Sequence, residues 1–425
     1  MAYDKYKDSG IECIGKIPEE WKVLSFKLLL KDTNAGEVIP KEFWGSGKEL
    51  LYTCQKTPEK STFKDFPASK KTEKGDLLLT RNGTPYIHIP IVNSIYSNVV
   101  QRIKLIEQVD FMFLKYYLDY ASKTLKGNGD IIESFNMDVW KNIKVSLPSH
   151  SEQQAIANFL DYKIEKIDKI IAKKKELIEK LKEKREIMIS EAVTKGLDKN
   201  VKMKDSGIEW IGEIPEGWSM HSIKLIAQIK GRIGFRGYTT NDLVEEGPYV
   251  VGATHINKRG LIDLSKPVFI SEYKYEESPE IKLHGGEILM VKVGAVGRIG
   301  MVSEGIGKAT INPNVMILRN IKGCSKYLFY VLSNNILQEE MLLESSKSGV
   351  QPAINQSYIQ NIKIPYPSIC EQKKITEYIE NNIQYMYDLI DKLNEQIRNL
   401  EEYKQILIFN AVTGKIGVRN FQKEV

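Results

Sequence analysis

Apolar side chains recur at alternating steps of four and three from Leu160, through Ile164, Ile167, Ile171, Ile178, Leu181, Met188 and Ala192, with Lys174 and Arg185 as the polar steps. The same rhythm begins again at Ile379 and takes in Ile383, Met386, Ile390, Leu393, Ile397, Leu400, Leu407 and Ala411, with Lys404 as its polar step. A 3.5-residue period held for more than four heptads is the pattern of a coiled-coil seam. Each run starts after a proline (Pro148, Pro367), ends at a glycine (Gly196, Gly414) and contains neither residue inside. The spacing therefore predicts two helices of about 60 Å at ~1.5 Å per residue. A helix that long overhangs a small domain about 30 Å across, so its apolar stripe needs an equally long partner. The other run is the candidate, and packing of each helix on its own globular half is the plain alternative. Arg185 and Lys404 hold equivalent slots, and a parallel pairing in register would oppose their like charges, so the pattern favours an antiparallel pair.

Outside these runs the period shortens to that of strands. Residues 35–148 read as the strands KELLYTC, GDLLLTR, YIHIPIV and NVVQRIKLI, then a helix near Asp110 to Leu125. Residues 230–367 read as GPYVVGATHI, KPVFI, GEILMVKVGAVGRIGMV and NVMILR, then a helix near Lys326 to Leu343. Both stretches are α+β by this reading.

The chain is also an internal repeat, which constrains its architecture more than any single element. DSGIECIGKIPEEW from Asp8 returns as DSGIEWIGEIPEGW from Asp205, with 11 of 14 positions unchanged. NMDVWKNIKVSLPSHSEQQ from Asn136 matches NQSYIQNIKIPYPSICEQK from Asn355 at an offset of 219, and AVTKG at Ala192 matches AVTGK at Ala411 at the same offset. Between the opening and closing phrases only GDLLLTRNG from Gly75 and GEILMVKVG from Gly286 can be matched, so each half is a shared frame around an unlike middle. This gives a globular domain over 1–150, a long helix over 151–196, a second globular domain over 197–367, a second long helix over 368–414 and a tail over 415–425.

Composition excludes several function classes. The 425 residues, 42% hydrophobic and 27% charged, suit two or three soluble domains. No apolar run approaches the ~18 residues of a membrane span, and MAYDKYKDSG lacks the apolar stretch of a secretory signal, so the expected location is cytoplasmic. Cys13, Cys54, Cys324 and Cys370 have no CxxC spacing and no neighbouring His, which argues against disulfides and structural zinc. His88, His150, His221, His255 and His284 are likewise isolated. GRIGFRG and GAVGRIG are spaced GxxGxxG, not GxGxxG, and no GK[ST] follows, so turns and strand bends explain them better than a phosphate loop. INPNVM around Asn312 shares only its first two residues with the Asn-Pro-Pro-aromatic tetrapeptide of adenine methyltransferases and lacks the aromatic that would stack on a flipped base. No PD-(D/E)xK nuclease spacing stands out. The chain is not expected to be a catalyst.

The formal charge is +6, of which the two helical segments 151–200 and 371–425 account for only +1. The rest lies in the globular halves, where basic residues alternate with aromatics. Lys56, Lys60, Lys64, Lys70 and Lys71 flank Phe63 and Phe66 and are followed by Arg81 and Asn82; the second half offers Lys230, Arg232 and Arg236 beside Phe235 and Tyr238, then Lys258, Arg259, Lys292 and Arg298. Phosphate neutralisation needs surface Lys and Arg, and base-edge reading needs Arg, Lys, Asn or Gln able to form paired hydrogen bonds. An ordinary solvated face is the competing reading of each.

Taken in order, IEWIGEIPEGW, GEILM and NIKIPYPSICEQKKI leading into a long helix resemble the specificity subunit of type I restriction-modification systems, over nearly the whole chain and in both copies. The first copy departs at Leu147-Pro148-Ser149-His150, where the family has a more apolar, proline-rich phrase. The resemblance implies two α+β target-recognition domains separated by an antiparallel coiled coil of two long helices, each domain reading half of a bipartite double-stranded DNA site. It further implies two methyltransferase subunits as partners, S-adenosylmethionine bound by them and not by this chain, and motor-nuclease subunits. Half-sites read from one face lie about 34 Å apart, a helical turn, and a rigid rod would fix that distance. The competing functions are a structural coiled-coil protein with protein-binding ends and a self-sufficient DNA-modifying enzyme.

Overall fold

The computed structural model describes residues 3–125, 134–232, 237–347, 349, 352–419 and 421. They fall into two compact units, Met1–Lys175 with Asn394–Val425, and Glu176–Leu393.

In the first unit, β1 (Tyr6–Asp8) pairs with β2 (Lys16–Pro18). A four-stranded antiparallel sheet runs in the order β4 (Leu30–Ala35), β10 (Val100–Leu105), β7 (Leu77–Thr80), β8 (Ile87–His88). A second sheet runs β6 (Glu59–Ser61), β5 (Trp44–Tyr52), β9 (Ile95–Tyr96), with β5 and β9 parallel. Helices α1 (Phe111–Ala121) and α2 (Met137–Lys141) follow, then β11 (Lys144–Leu147), which pairs back with β3 (Lys22–Ser25) and leads into α3 (His150–Lys195).

The second unit repeats this strand for strand. β12 (Met203–Asp205) pairs with β13 (Glu213–Pro215), and β14 (Ser219–Ser222) with β22 (Lys363–Tyr366). The larger sheet is β15 (Gln228–Gly231), β21 (Val315–Arg319), β18 (Ile288–Val291), β19 (Ile299–Met301); the smaller is β17 (Phe269–Ile270), β16 (Leu243–Val251), β20 (Ala309–Ile311), with β16 and β20 again parallel. Its helices are α4 (Ile223–Ile226), α5 (Glu272–Glu276), α6 (Ser325–Leu332), α7 (Asn335–Ser346) and α8 (Gln356–Asn361), and α9 (Ile369–Val412) belongs to it as far as Leu393. The middles that share almost no sequence thus share one topology. Extra length in the second copy sits largely in its connections: residues 252–268 join β16 to β17, where 53–58 join β5 to β6, and α7 has no counterpart of its length among the described residues.

Strand chemistry explains the layout. β7 and β18 are buried at every position, LLLT and ILMV, because each lies between two neighbours in its sheet with both faces covered. Two predicted elements end early for identifiable reasons. YIHIPIV keeps strand pairing only at Ile87 and His88, since Pro90 cannot donate to a ladder. The helix expected near Lys326 to Leu343 is split at Ser333, and Asn334 starts α7 by accepting hydrogen bonds from the Ile336 and Leu337 amides. GEILMVKVGAVGRIGMV folds as a hairpin whose turn holds Gly294 (φ +82°) and Gly297 (φ +80°), so those glycines serve a turn.

The retained phrases are joints. Asn136 and Asn355, which open the closing phrase in each copy, cap α2 and α8. Gln153 is buried at the start of α3, donating to the Pro148 and Gln108 carbonyls and accepting from the Asp110 amide at 2.8 Å; Gln372 does the same on α9 with the Pro367 carbonyl and the Cys324 amide. Gly414, just past α9, has φ +71°, and a Cβ there would overlap Pro18 and crowd the Trp21 ring; Gly196, just past α3, has φ +75°, and a Cβ there would lie 3.1 Å from Trp218 Cζ2. Each repeated Ile-Pro-Glu-x-Trp phrase therefore receives the end of a long helix within its own unit, and both helices stop in the left-handed conformation that glycine accepts. Gly414→Ala is expected to destabilise the first unit by about 1–3 kcal/mol. Gly10→Ala, also at positive φ but with nothing within 4 Å, should cost less. Thermal unfolding of the two variants checks the ordering.

The helices run antiparallel in both units. In the first, Lys404 Nζ pairs with Asp168 at 2.7 Å and Lys174 Nζ donates to Gln396 at 2.6 Å, so residue numbers fall along α9 as they rise along α3. In the second, Arg185 lies over Tyr387, while Gly196 lies by Glu371. Of the seam positions, Leu160, Ile164, Ile167, Ile171, Ile178, Ile379, Ile383, Met386, Ile390, Leu393, Ile397 and Leu407 are buried, and Leu181, Met188 and Leu400 are partly buried. The polar seam steps are satisfied by neutral or opposite groups, as an antiparallel pair allows.

Candidate nucleic-acid interface

The basic residues singled out in the sequence divide into exposed, pinned and buried groups. Lys56, Lys60 and Lys64 are exposed on the β5–β6 connection, on β6 and just beyond, with no hydrogen bond or ion pair to their side chains among the described residues. Lys70 pairs with Glu37, and Lys71 with Glu49 at 3.1 Å, so both are partly neutralised. Arg81 and Asn82 follow β7: the Arg81 backbone bonds Val99 and Phe135, its guanidinium approaches the Asn98 carbonyl at 3.5 Å, and Asn82 bridges to Ser134. Lys292 takes the equivalent place after β18, with its backbone bonded to Asn314 and Ile354. Arg81 and Lys292 thus put a cation at the same point of each fold.

Lys230 is exposed on β15 and Lys258 on the β16–β17 connection. Arg259 is committed to α9: its Nη2 donates to both Asp391 carboxylate oxygens at 2.8 and 2.9 Å, and its guanidinium lies 4.4 Å from the Tyr387 ring. Arg298 is exposed while donating to the Ala253 carbonyl at 3.0 Å. Arg232 is only 6% exposed, donates to the Ile311 carbonyl and Thr310 hydroxyl, and stacks on Tyr238, so it supports the interior of its lobe. Arg236 lies outside the described residues. The structure brings Lys258, Arg259 and Arg298 together with Arg185 around one cleft, which the sequence alone did not suggest.

Arg102 was not singled out, and the structure explains why it matters. It is 3% exposed; its Nη1 donates to the Lys70 and Lys71 carbonyls at 3.0 and 2.9 Å, and Asp32 and Asp76 lie at 3.6 and 3.9 Å. It holds the lysine-bearing segment onto the sheet. Burial raises the Asp76 carboxyl above its ordinary range. The only sequence signal was a charge inside the apolar strand NVVQRIKLI.

His88, buried beside the Tyr52 and Tyr86 rings, is pushed down to about 4 by desolvation. The folded state then resists protonation that the unfolded chain accepts near pH 6.5. The linked stability, about 3 kcal/mol, is fully present above pH 6.5 and is lost as pH falls from there to about 4. Denaturant titrations at pH 7 and 4.5 should show a smaller difference for His88→Leu than for the unaltered chain.

Among the described residues there is no cluster of three or more metal-binding side chains, and no helix is long and apolar enough to cross a membrane. The four cysteines are unpaired; Cys13 and Cys370 are exposed, Cys54 and Cys324 partly so.

Two like α+β lobes, each with exposed lysines on divergent loops and each joined to one stretch of an antiparallel helix pair, define a duplicated recognition protein. The chain belongs to the type I restriction modification DNA specificity domain family, whose model matches residues 18–180 and again 215–399. It is 25% identical over 423 residues to the type I restriction enzyme MjaVIII specificity subunit of Methanocaldococcus jannaschii, covering 95% of both chains. It is 27% identical over 280 residues to the EcoBI specificity subunit of Escherichia coli, across 64% of this chain and 58% of that one. In fold it resembles a chain from a structure of type I restriction-modification assembly and conformational transition (TM-score 0.69, 16% identity, 94% of this chain and 99% of that one). It also resembles the HsdS subunit of Thermoanaerobacter tengcongensis (TM-score 0.50, 18% identity, 94% and 98%).

Proposed function

We propose that each lobe reads one half of a bipartite double-stranded DNA target, and that the paired helices set the gap between the halves and dock two methyltransferase subunits. Family membership supports DNA sequence specificity as the function and a non-catalytic part for this chain. The observation that carries the two-half reading is the repetition of one strand order around unlike surface loops. Retained joints, Trp21 with Trp218 and Gln153 with Gln372, keep the frame constant, and loops bearing Lys56, Lys60 and Lys64 on one lobe and Lys230 and Lys258 on the other present different chemistry. Phosphate contacts then position each lobe and base-edge contacts specify the sequence. Two equivalent frames suit two copies of one partner. In this reading the methyl donor S-adenosylmethionine is held by the methyltransferases, motor-nuclease subunits join the same cytoplasmic complex, and this chain supplies only the address.

The test is an exchange within the intact chain. Replacing residues 30–135 with residues 227–354 puts the second middle into both frames at equivalent borders. Adenine methylation in cells expressing the exchanged chain with its methyltransferase should move to an inverted repeat of a single half-site. Retention of the original asymmetric target would refute half-by-half reading.

A further inference from the structure

Each unit holds a cleft where its lobe meets its own stretch of the helix pair, and the two clefts occupy equivalent places. In the first unit the cleft is about 560 Å³, and the helices contribute Ile164, Asp168, Lys404, Gln405 and Ile408. In the second it is about 450 Å³, and they contribute Ile383, Tyr387, Arg185, Glu186 and Ile189. These two sets correspond one to one at the repeat offset of 219. The lobes add α1 or α6, and the strand connections that carry Lys56 or Lys258 at the rim.

The residues have changed between the copies, but their charge has not. Among the described lining residues, the first cleft has four cations, Lys56, Lys115, Lys123 and Lys404, against Asp119 and Asp168. The second has Arg185, Lys258, Arg259 and Arg298 against Glu186 and Glu339. A protein partner common to both copies would hold particular contacts constant, as the frame does at Trp21 and Trp218. A surplus of two positive charges rebuilt from different residues suits an anion recognised by charge alone.

The second cleft is also preorganised. Arg259 and Arg185 lie on the Tyr387 ring at 4.4 and 5.5 Å, and Asp391 holds Arg259. Asn257 Oδ1 accepts from the Arg259 and Leu261 amides at 2.8 and 3.1 Å, fixing the turn so that Lys258 stands at its apex. In the first cleft Lys404 is fixed on Asp168 and Lys115 on Asp119 at 2.6 Å, and Lys56 stands exposed.

We infer that each cleft seats a backbone phosphate of duplex DNA beside the half-site its unit reads, with the rim lysine closing on it. This rests on the DNA reading given above. The test uses the full chain with its methyltransferase partner and two duplexes, one with and one without the target. Lys258→Gln combined with Arg298→Gln, and separately Lys56→Gln combined with Lys123→Gln, are compared with Lys199→Gln combined with Lys202→Gln in the exposed connection between α3 and β12. Each cleft pair should lower the magnitude of the slope of log K against log salt by about 1–2 and weaken both duplexes alike, while the connection pair changes neither. A normal slope in the cleft variants, beside strong salt dependence in the unaltered complex, would overturn the phosphate sites and leave the DNA reading standing. Absence of salt-dependent binding by the unaltered complex would overturn both. Loss of methyltransferase from the cleft variants with an unchanged slope would make the clefts protein-docking sites and overturn the inference.

Discussion

Removing one heptad from each long helix, residues 173–179 and 392–398, is expected to abolish modification of the natural target while leaving both half-sites recognisable. The deletion preserves the alternation of four and three, because Leu181 and Leu400 take over the register of Lys174 and Leu393. It spares Asp391, which holds Arg259. Both helices must lose the heptad together, since Lys174 bonds Gln396 across the pair. Seven residues shorten a helix by about 10.5 Å, close to three base pairs at ~3.4 Å each. Three base pairs also turn the groove by about 100°, whereas a heptad leaves the helix face nearly in phase. The natural gap is thus offered at the wrong distance and the wrong angle. Selection from a library of random gaps should recover the same half-sites with a gap changed by about three base pairs and lower affinity. An unchanged gap would mean that the helices do not act as the ruler.

Trp21→Ala is expected to lower the stability of the first unit by about 3–5 kcal/mol, among the largest effects of any single substitution in the chain. The indole is fully buried, meets Tyr3 edge to face at 5.9 Å, and lies against Gly414 where α9 ends. Truncation empties a cavity at the joint between a helix end and the opening hairpin. Trp218→Ala should do the same to the second unit, where Gly196 ends α3. A chain of two units need not unfold in one step. Calorimetry should show the transition of the affected unit moving down by roughly 6–20 °C, at about 2–4 °C per kcal/mol. A negligible shift would mean that the repeated phrase is not a structural joint.

The long helices were legible because their apolar period is unbroken and both ends carry proline and glycine punctuation. The duplicated frame was legible because its joints admit few substitutes: a side-chain cap at Asn136 and Asn355, a buried latch at Gln153 and Gln372, an indole against a glycine at Trp21 and Trp218. The common topology of the middles was hidden, because a strand such as β7 or β18 needs only apolar residues at its positions, and LLLT and ILMV meet that need without resembling each other. The candidate interface was only half legible. A run of lysines does not reveal that Lys70 and Lys71 have acidic partners, that Arg232 faces inward, or that Arg259 is tied to a helix 132 residues away in sequence. Those outcomes depend on tertiary neighbours. The clefts were invisible for the same reason, since residues 185, 258, 259 and 298 meet only after folding.

Mapping methylated adenines across the genome of a cell that expresses this chain with its methyltransferase tests two-lobed reading most directly. The account predicts one split motif, two unlike half-sites separated by a constant number of unread positions. A contiguous motif, or half-sites whose separation varies from site to site, would contradict it.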